Sequence, residues 1–196
     1  IALLIQAAAF CQPANDDCAG AINISTTSFG STCTSPTAST TAAATASTPG
    51  TACGGVNDDD DVWYSFTANS QTVIVRVSNA VLVPSGGANI GLEVLSGNCG
   101  TLSSIACTGT VGTGNGFLIV NGLTISGSYY LRFWTFGTGN QANFNFCVQD
   151  VPAPPVNDDC SGAIAIPTQP FSATCAASIS ANTSGSTQST PNPSCT

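Results

Sequence analysis

The run Val62-Trp63-Tyr64-Ser65-Phe66-Thr67, the polar break Ala68-Asn69-Ser70-Gln71 and the run Thr72-Val73-Ile74-Val75-Arg76-Val77 decide the fold class. Both runs are dense in aromatic and β-branched residues, which fit a pleated, half-buried surface. The second alternates around Arg76, and Ile90–Leu95 alternates in the same way around Glu93. Leu102–Cys107, Phe117–Val120, Tyr129–Phe136 and Phe144–Val148 complete the set. Short strands at intervals of roughly 8–14 residues, with Gly- and Asn-rich turns between them, predict an all-β, jelly-roll-like sandwich. No stretch has helical periodicity with caps. The Ala/Thr/Ser run Thr37–Thr48, flanked by Pro36 and Pro49, reads as extended because of its β-branched threonines.

Working outward, the chain repeats itself. Asn15-Asp16-Asp17-Cys18-Ala19-Gly20-Ala21-Ile22 recurs as Asn157-Asp158-Asp159-Cys160-Ser161-Gly162-Ala163-Ile164. Cys33 and Cys53 recur at the same offset as Cys175 and Cys195. A fixed register of this kind is the signature of tandem structural units. The chain therefore parses as an apolar N-terminal strand or signal-peptide remnant (1–12), a complete repeat (13–150), a Pro-rich linker (151–155) and a partial second repeat (156–196). Two readings of Ile1–Phe10 stay open: a signal remnant cleaved near Cys11–Gln12, or a retained strand. Phe10-Cys11-Gln12 resembles Phe146-Cys147-Val148 at the end of the complete repeat, and each precedes an NDDC motif. Val151-Pro152-Ala153-Pro154-Pro155 favours a stiff, extended spacer.

Composition narrows the role. The 196 residues include 2 basic residues, Arg76 and Arg132, against 10 acidic ones, giving a net charge of −8. Without a basic patch, nucleic acid and anionic membrane surfaces are excluded as electrostatic partners. There is no His and no Lys, so His-based triads, His-containing zinc sites and Schiff-base chemistry are excluded too. No run reaches the length of about 20 apolar residues that spans a bilayer. Ten cysteines without a single C-x-x-C pair point to disulfides and an oxidising, extracellular compartment.

The NDDC-x-G-A-I motif, then Asp61–Thr67, then Leu95–Cys107, then Gly127-Ser128-Tyr129-Tyr130-Leu131-Arg132, form an ordered series. The series resembles the β-sandwich repeats of secreted Bacteroidetes-type surface proteins, and is similar to bacterial pre-peptidase C-terminal modules. The resemblance covers nearly all of residues 13–150 and begins again at 156. It implies a non-catalytic module of the kind that accompanies adhesins, secreted hydrolases and extracellular fibres. The chain departs from the family at Thr108–Gly114, where an acidic loop is common, and that weighs against a calcium role for this loop.

Among candidate site residues, Cys18, Cys33, Cys53, Cys99, Cys107 and Cys147 are the disulfide set. Cys99 and Cys107 flank a short hairpin and are expected to pair, leaving the other four to pair among themselves. Cys160, Cys175 and Cys195 leave an odd thiol, and Cys11 of a neighbouring subunit is its expected partner. Asp58, Asp59, Asp60 and Asp61 repel one another, and calcium is the chemically natural counter-ion; no other cofactor is expected. The two NDD motifs are expected to form Asx-type turns. Asn23 and Asn182 lie in N-x-S/T acceptor patterns. Trp63, Tyr64, Tyr129, Tyr130, Phe133, Trp134 and Phe136 could stack on surface glycans, but alternation sends about half of them into the core. Glu93 sits mid-strand without a sugar cleft, so glycosidase chemistry is not expected.

The expected role is a secreted, cell-surface structural subunit that is not an enzyme, polymerising with itself head to tail by strand complementation into a filament. Two other readings are a stalk or adhesin module of a long repeat protein, and a sugar- or calcium-binding accessory module of a hydrolase.

Overall fold

The computed structural model describes residues 11–55, 58–83, 89–111, 115–137, 139–166, 168 and 179–187. The chain divides into two compact units, Ile1–Asp150 and Val151–Thr196. The first unit is a disulfide-stapled β-sandwich. Its strands are β1 (Ile22–Ile24), β2 (Thr27–Ser28), β3 (Thr37–Thr40), β4 (Asp58–Thr67), β5 (Thr72–Val83), β6 (Ile90–Ser96), β7 (Ser103–Thr108), β8 (Asn115–Asn121), β9 (Ser128–Phe136) and β10 (Gln141–Asp150). One sheet, here sheet A, runs β1-β4-β9-β6-β7; the other, sheet B, runs β2-β10-β5-β8, with β3 also pairing β10. All pairs are antiparallel except β1–β4 and β2–β10.

Alternation explains the core. Val62, Tyr64 and Phe66 of β4 face inward with Leu131 and Phe133 of β9 and Ile90, Leu92 and Val94 of β6. Val73, Val75 and Val77 of β5 meet them from sheet B with Phe144, Phe146 and Val148 of β10. The centre is aromatic: the Phe146 ring lies 4.6 Å from Tyr64 and 4.7 Å from Phe133, centroid to centroid. Tilted and edge-on contacts at such spacings add to area burial.

The outer face of sheet A is buried as well. Residues 41–55, which run between β3 and β4, form a strap across it. Trp63, Glu93, Arg132 and Trp134 point outward by alternation, yet all are buried. Gly91 is the cross-strand neighbour of Trp134, and a Cβ at that glycine would sit 2.0 Å from the indole ring. The large ring therefore requires a glycine opposite it. Only Thr37–Thr40 of the expected extended run is a strand. The chain then turns through Ala43, whose φ is +60°.

Among the described residues, the disulfides are Cys18–Cys99, Cys33–Cys147 and Cys53–Cys107. All six expected cysteines are thus bridged, but the expected Cys99–Cys107 pair is not formed, and of the other four only Cys33 and Cys147 pair together. The β6–β7 register gives the reason. Cys107 lies opposite Glu93, while Cys99 is in the turn beyond the Ser96–Ser103 pair. Cys107 is thus four residues down its strand from the turn, roughly 13 Å at the usual rise, far outside disulfide reach. Each bridge instead joins one cysteine of the wrapping segment before β4 to one of the sandwich proper.

Part of the second unit repeats the opening of the first. Cys18–Gly20 and Cys160–Gly162 each form a 3-10 turn. The Asp16 carboxylate accepts from the Thr45 N–H at 2.6 Å and from its hydroxyl at 2.8 Å. The Asp158 carboxylate accepts from the Thr187 N–H at 2.8 Å and from its hydroxyl. Thr187 is the repeat counterpart of Thr45, and Gly185, with φ +77°, stands in register with Ala43. The NDD aspartates therefore clasp a threonine well downstream, and the Asx turn expected of them gives way to this longer-range lock.

Partial proteolysis with pepsin under non-reducing conditions, followed by mass spectrometry, is expected to yield cystine peptides 18–99, 33–147 and 53–107. A 99–107 peptide would contradict the register above.

Candidate binding pocket

The strap is held to sheet A by one buried ion pair and the bonds around it. Arg132 of β9 donates through Nε to Asp61 Oδ2 at 2.7 Å and also through Nη2. Its remaining donors reach the strap: Nη1 to the Pro49 carbonyl at 2.9 Å and Nη2 to the Ser47 carbonyl at 3.1 Å. Asp61 accepts in turn from the Ser47 N–H at 3.0 Å, the Ser47 hydroxyl at 2.6 Å and Trp63 Nε1 at 3.1 Å. The guanidinium lies 5.2 Å over the Trp63 ring. A planar fork with five donors suits this arrangement, and lysine could not reproduce it.

Beside this network a cavity of about 580 Å³ opens between strap and sheet, lined among others by Trp63, Glu93, Leu95, Leu102, Arg132 and Ala52. Glu93 is the cross-strand neighbour of Arg132 and is 2 % exposed. Its Oε1 accepts from the Ala52 N–H at 3.2 Å. A concave, partly apolar cavity with a few converging polar groups is the default form of a small-ligand site.

The acidic run does not act as one group. Asp61 is committed to Arg132. Asp59 accepts from the Gly139 N–H at 3.2 Å and the Asp60 N–H at 3.1 Å. The side chain of Asp58 lies outside the described residues. Asp60 occupies a register shift between β4 and β9, with φ +50°, and is 8 % exposed. Its Oδ2 is buried with no hydrogen-bond partner among the described residues. Burial, followed by the charges of Asp59, Asp16 and Asp61, raises its pKa from 3.8 to about 6. Among the described residues, no three ligating side chains gather into a metal site.

The remaining candidates are dispersed. Trp63, Tyr64, Tyr129, Phe133 and Trp134 are buried, and Tyr130 and Phe136 are half-buried, so the seven aromatics form no open platform. Asn23 is exposed on β1 and donates to the Ser65 hydroxyl at 3.3 Å. Asn182 is exposed and accepts from the Ser184 N–H at 2.8 Å. Cys11 and Cys160 are exposed free thiols, while Cys175 and Cys195 lie outside the described residues. Sequence reasoning missed Arg132, Ser47 and Thr45. The available signal was that one of only two cations sits mid-strand in an aromatic run.

No protein-family model matches the chain. No curated protein matches its sequence. Among solved structures, the chain is similar to the pre-peptidase C-terminal domain of a collagenase from Bacillus anthracis, with 16% identity over 66% of this chain and 94% of that one, at a TM-score of 0.37. No helix among the described residues is long and apolar enough to cross a membrane.

Two outcomes follow from the buried charges. Replacing Arg132 with Ala leaves Asp61 buried and uncompensated, and is expected to lower stability by about 3–5 kcal/mol, read from urea unfolding, with proteolysis appearing in the strap. Asp60 binds its proton more tightly folded than unfolded. Its contribution is therefore full below about pH 4 and is lost as pH rises through about 6. In chelator-treated protein, Asp60→Asn is expected to remove that fall between pH 4 and 6, measured as the difference in urea midpoints from wild type.

Proposed function

We propose that the chain is a non-catalytic structural module of an extracellular repeat protein, and that its copies join head to tail into a filament or surface fibre. The observation that carries this reading is the threonine lock, which recurs in the second unit with the same turn and a left-handed residue at the same repeat position. A fold that opens twice in register is built for stacking like units. The polar groups in the sandwich support the same reading. Asp61, Arg132, Ser47 and Asp16 are each consumed by bonds that fasten the strap, and the chain has neither His nor Lys. The three disulfides among the described residues suit an oxidising compartment.

Joining between chains has two supports. Strand β8 is a seven-residue edge without a charged residue, and Phe117 and Ile119 are 56 % and 48 % exposed on it. Edges of this kind accept an added strand, and the apolar segment 1–10 has the composition to supply one. The exposed thiols of Cys11 and Cys160 are available for cross-links. If joining runs along one polypeptide instead, the same module serves as a stalk.

Negative-stain electron microscopy of native material, with and without reductant, tests the reading. Uniform fibres whose axial repeat matches one or two sandwich lengths are expected, and deletion of residues 1–10 is expected to abolish them. Discrete particles that never polymerise would overturn the filament and leave the stalk module.

A further inference from the structure

The cavity under the strap holds a charge that its surroundings do not balance. Arg132 is committed to Asp61, and it forms the single ion pair among the described residues. By formal charge, Asp61, Arg132 and Glu93 together carry one net negative charge, all on residues at most 3 % exposed, and the exposed carboxylate of Asp17 also lines the cavity. Glu93 Oε1 takes the Ala52 N–H, a neutral donor that offsets only part of a full charge. A buried carboxylate in this state is costly unless a cation meets it. Among the described residues, no set of three ligating side chains is present to hold a metal ion. Much of the wall is instead carbon, from Trp63, Leu95, Leu102 and Ala52. Such walls suit an unbranched alkyl stem that ends in a compact charge, since a lysyl side chain buries its methylenes while its ammonium seeks an acceptor.

We infer that this cavity binds a primary alkylammonium, the lysyl side chain of a partner protein, with Glu93 as its counter-ion. These 196 residues contain no lysine, so the ammonium is supplied from sequence outside them. The strap forms the roof, and the Cys53–Cys107 bridge and the Ala52–Glu93 bond fix its height over the sheet.

Titration with Nα-acetyl-lysinamide, followed by NMR of the Trp63 indole and the Ala52 amide, tests the inference and reads binding whether or not the chain polymerises. Saturable shifts are expected from this probe and none from its Nε-acetylated analogue, which has the same stem without the charge. Glu93→Gln keeps an oxygen for the Ala52 N–H and removes only the charge. It is expected to weaken binding at least about tenfold, the scale of one charge-assisted bond. Leu102→Trp, which fills the cavity and leaves Glu93 in place, is expected to abolish binding. Absence of saturable shifts, equal binding of the acetylated analogue, or unchanged affinity in either variant would overturn the assignment.

Discussion

The Asp61–Arg132 pair is the interaction on which the rest of the sandwich depends. The strap 41–55 has almost no large apolar side chains, so it cannot hold itself against a sheet by hydrophobic burial. It is held by polar bonds to a guanidinium that is itself neutralised by a neighbouring strand. Once the strap is in place, the outer face of sheet A is shielded from water, and Trp63 and Trp134 become core residues of a second layer. That shielding also removes Glu93 from solvent. The pair therefore organises the local dielectric of one whole face, which is why a single arginine matters so much in a chain that carries only two.

The disulfides act at the same level. Residues 11–55 hold only short strands, of two to four residues, too little ladder to be stable alone. Each third of this wrap contributes one cysteine, and each finds a partner on a different part of the sandwich: the β6–β7 turn, β10 and β7. The closed loops span 54 to 114 residues, a range in which cross-linking restricts the unfolded chain by about 4–5 kcal/mol per bridge in the chain-entropy picture. A protein with few charges and a modest core is thus held by covalent staples at the places where packing is thinnest.

The seven long strands were legible because alternation and β-branched content are local properties. Most observed spans exceed the sequence-based ones, as with β5, which runs on to Val83 through a bulge at Asn79, while β7 is shifted by one residue to Ser103–Thr108. What was not legible is long-range. The cysteine pairing depends on the β6–β7 register, which places Cys107 beside Glu93; proximity in sequence favoured the wrong partner. The strap was invisible because Thr41–Gly55 has neither period 2 nor period 3.6, so nothing in it announces that it covers a sheet. For the same reason Glu93, which reads as a solvent-facing residue of a half-buried strand, is buried. The acidic run looked like one cluster because its members are adjacent in sequence. A strand sends neighbours to opposite faces, and here a register shift divides them further.

These features bear on what such a module is suited to do. A surface rich in Ser, Thr, Asn and Gly and free of lysine draws most of its polarity from hydroxyls and amides. Four edge strands are blunted: β1, β2 and β3 are three, two and four residues long, and β7 is stapled through Cys107 to the strap. Strand β8 lacks the lysine, proline or bulge that usually protects an edge. The guanidinium of Arg76, 5.5 Å from the Phe117 ring, covers one face of that ring while the backbone edge stays open. None of the described edge strands carries a charged residue, and β8 is the longest of them and the one without a staple or a break.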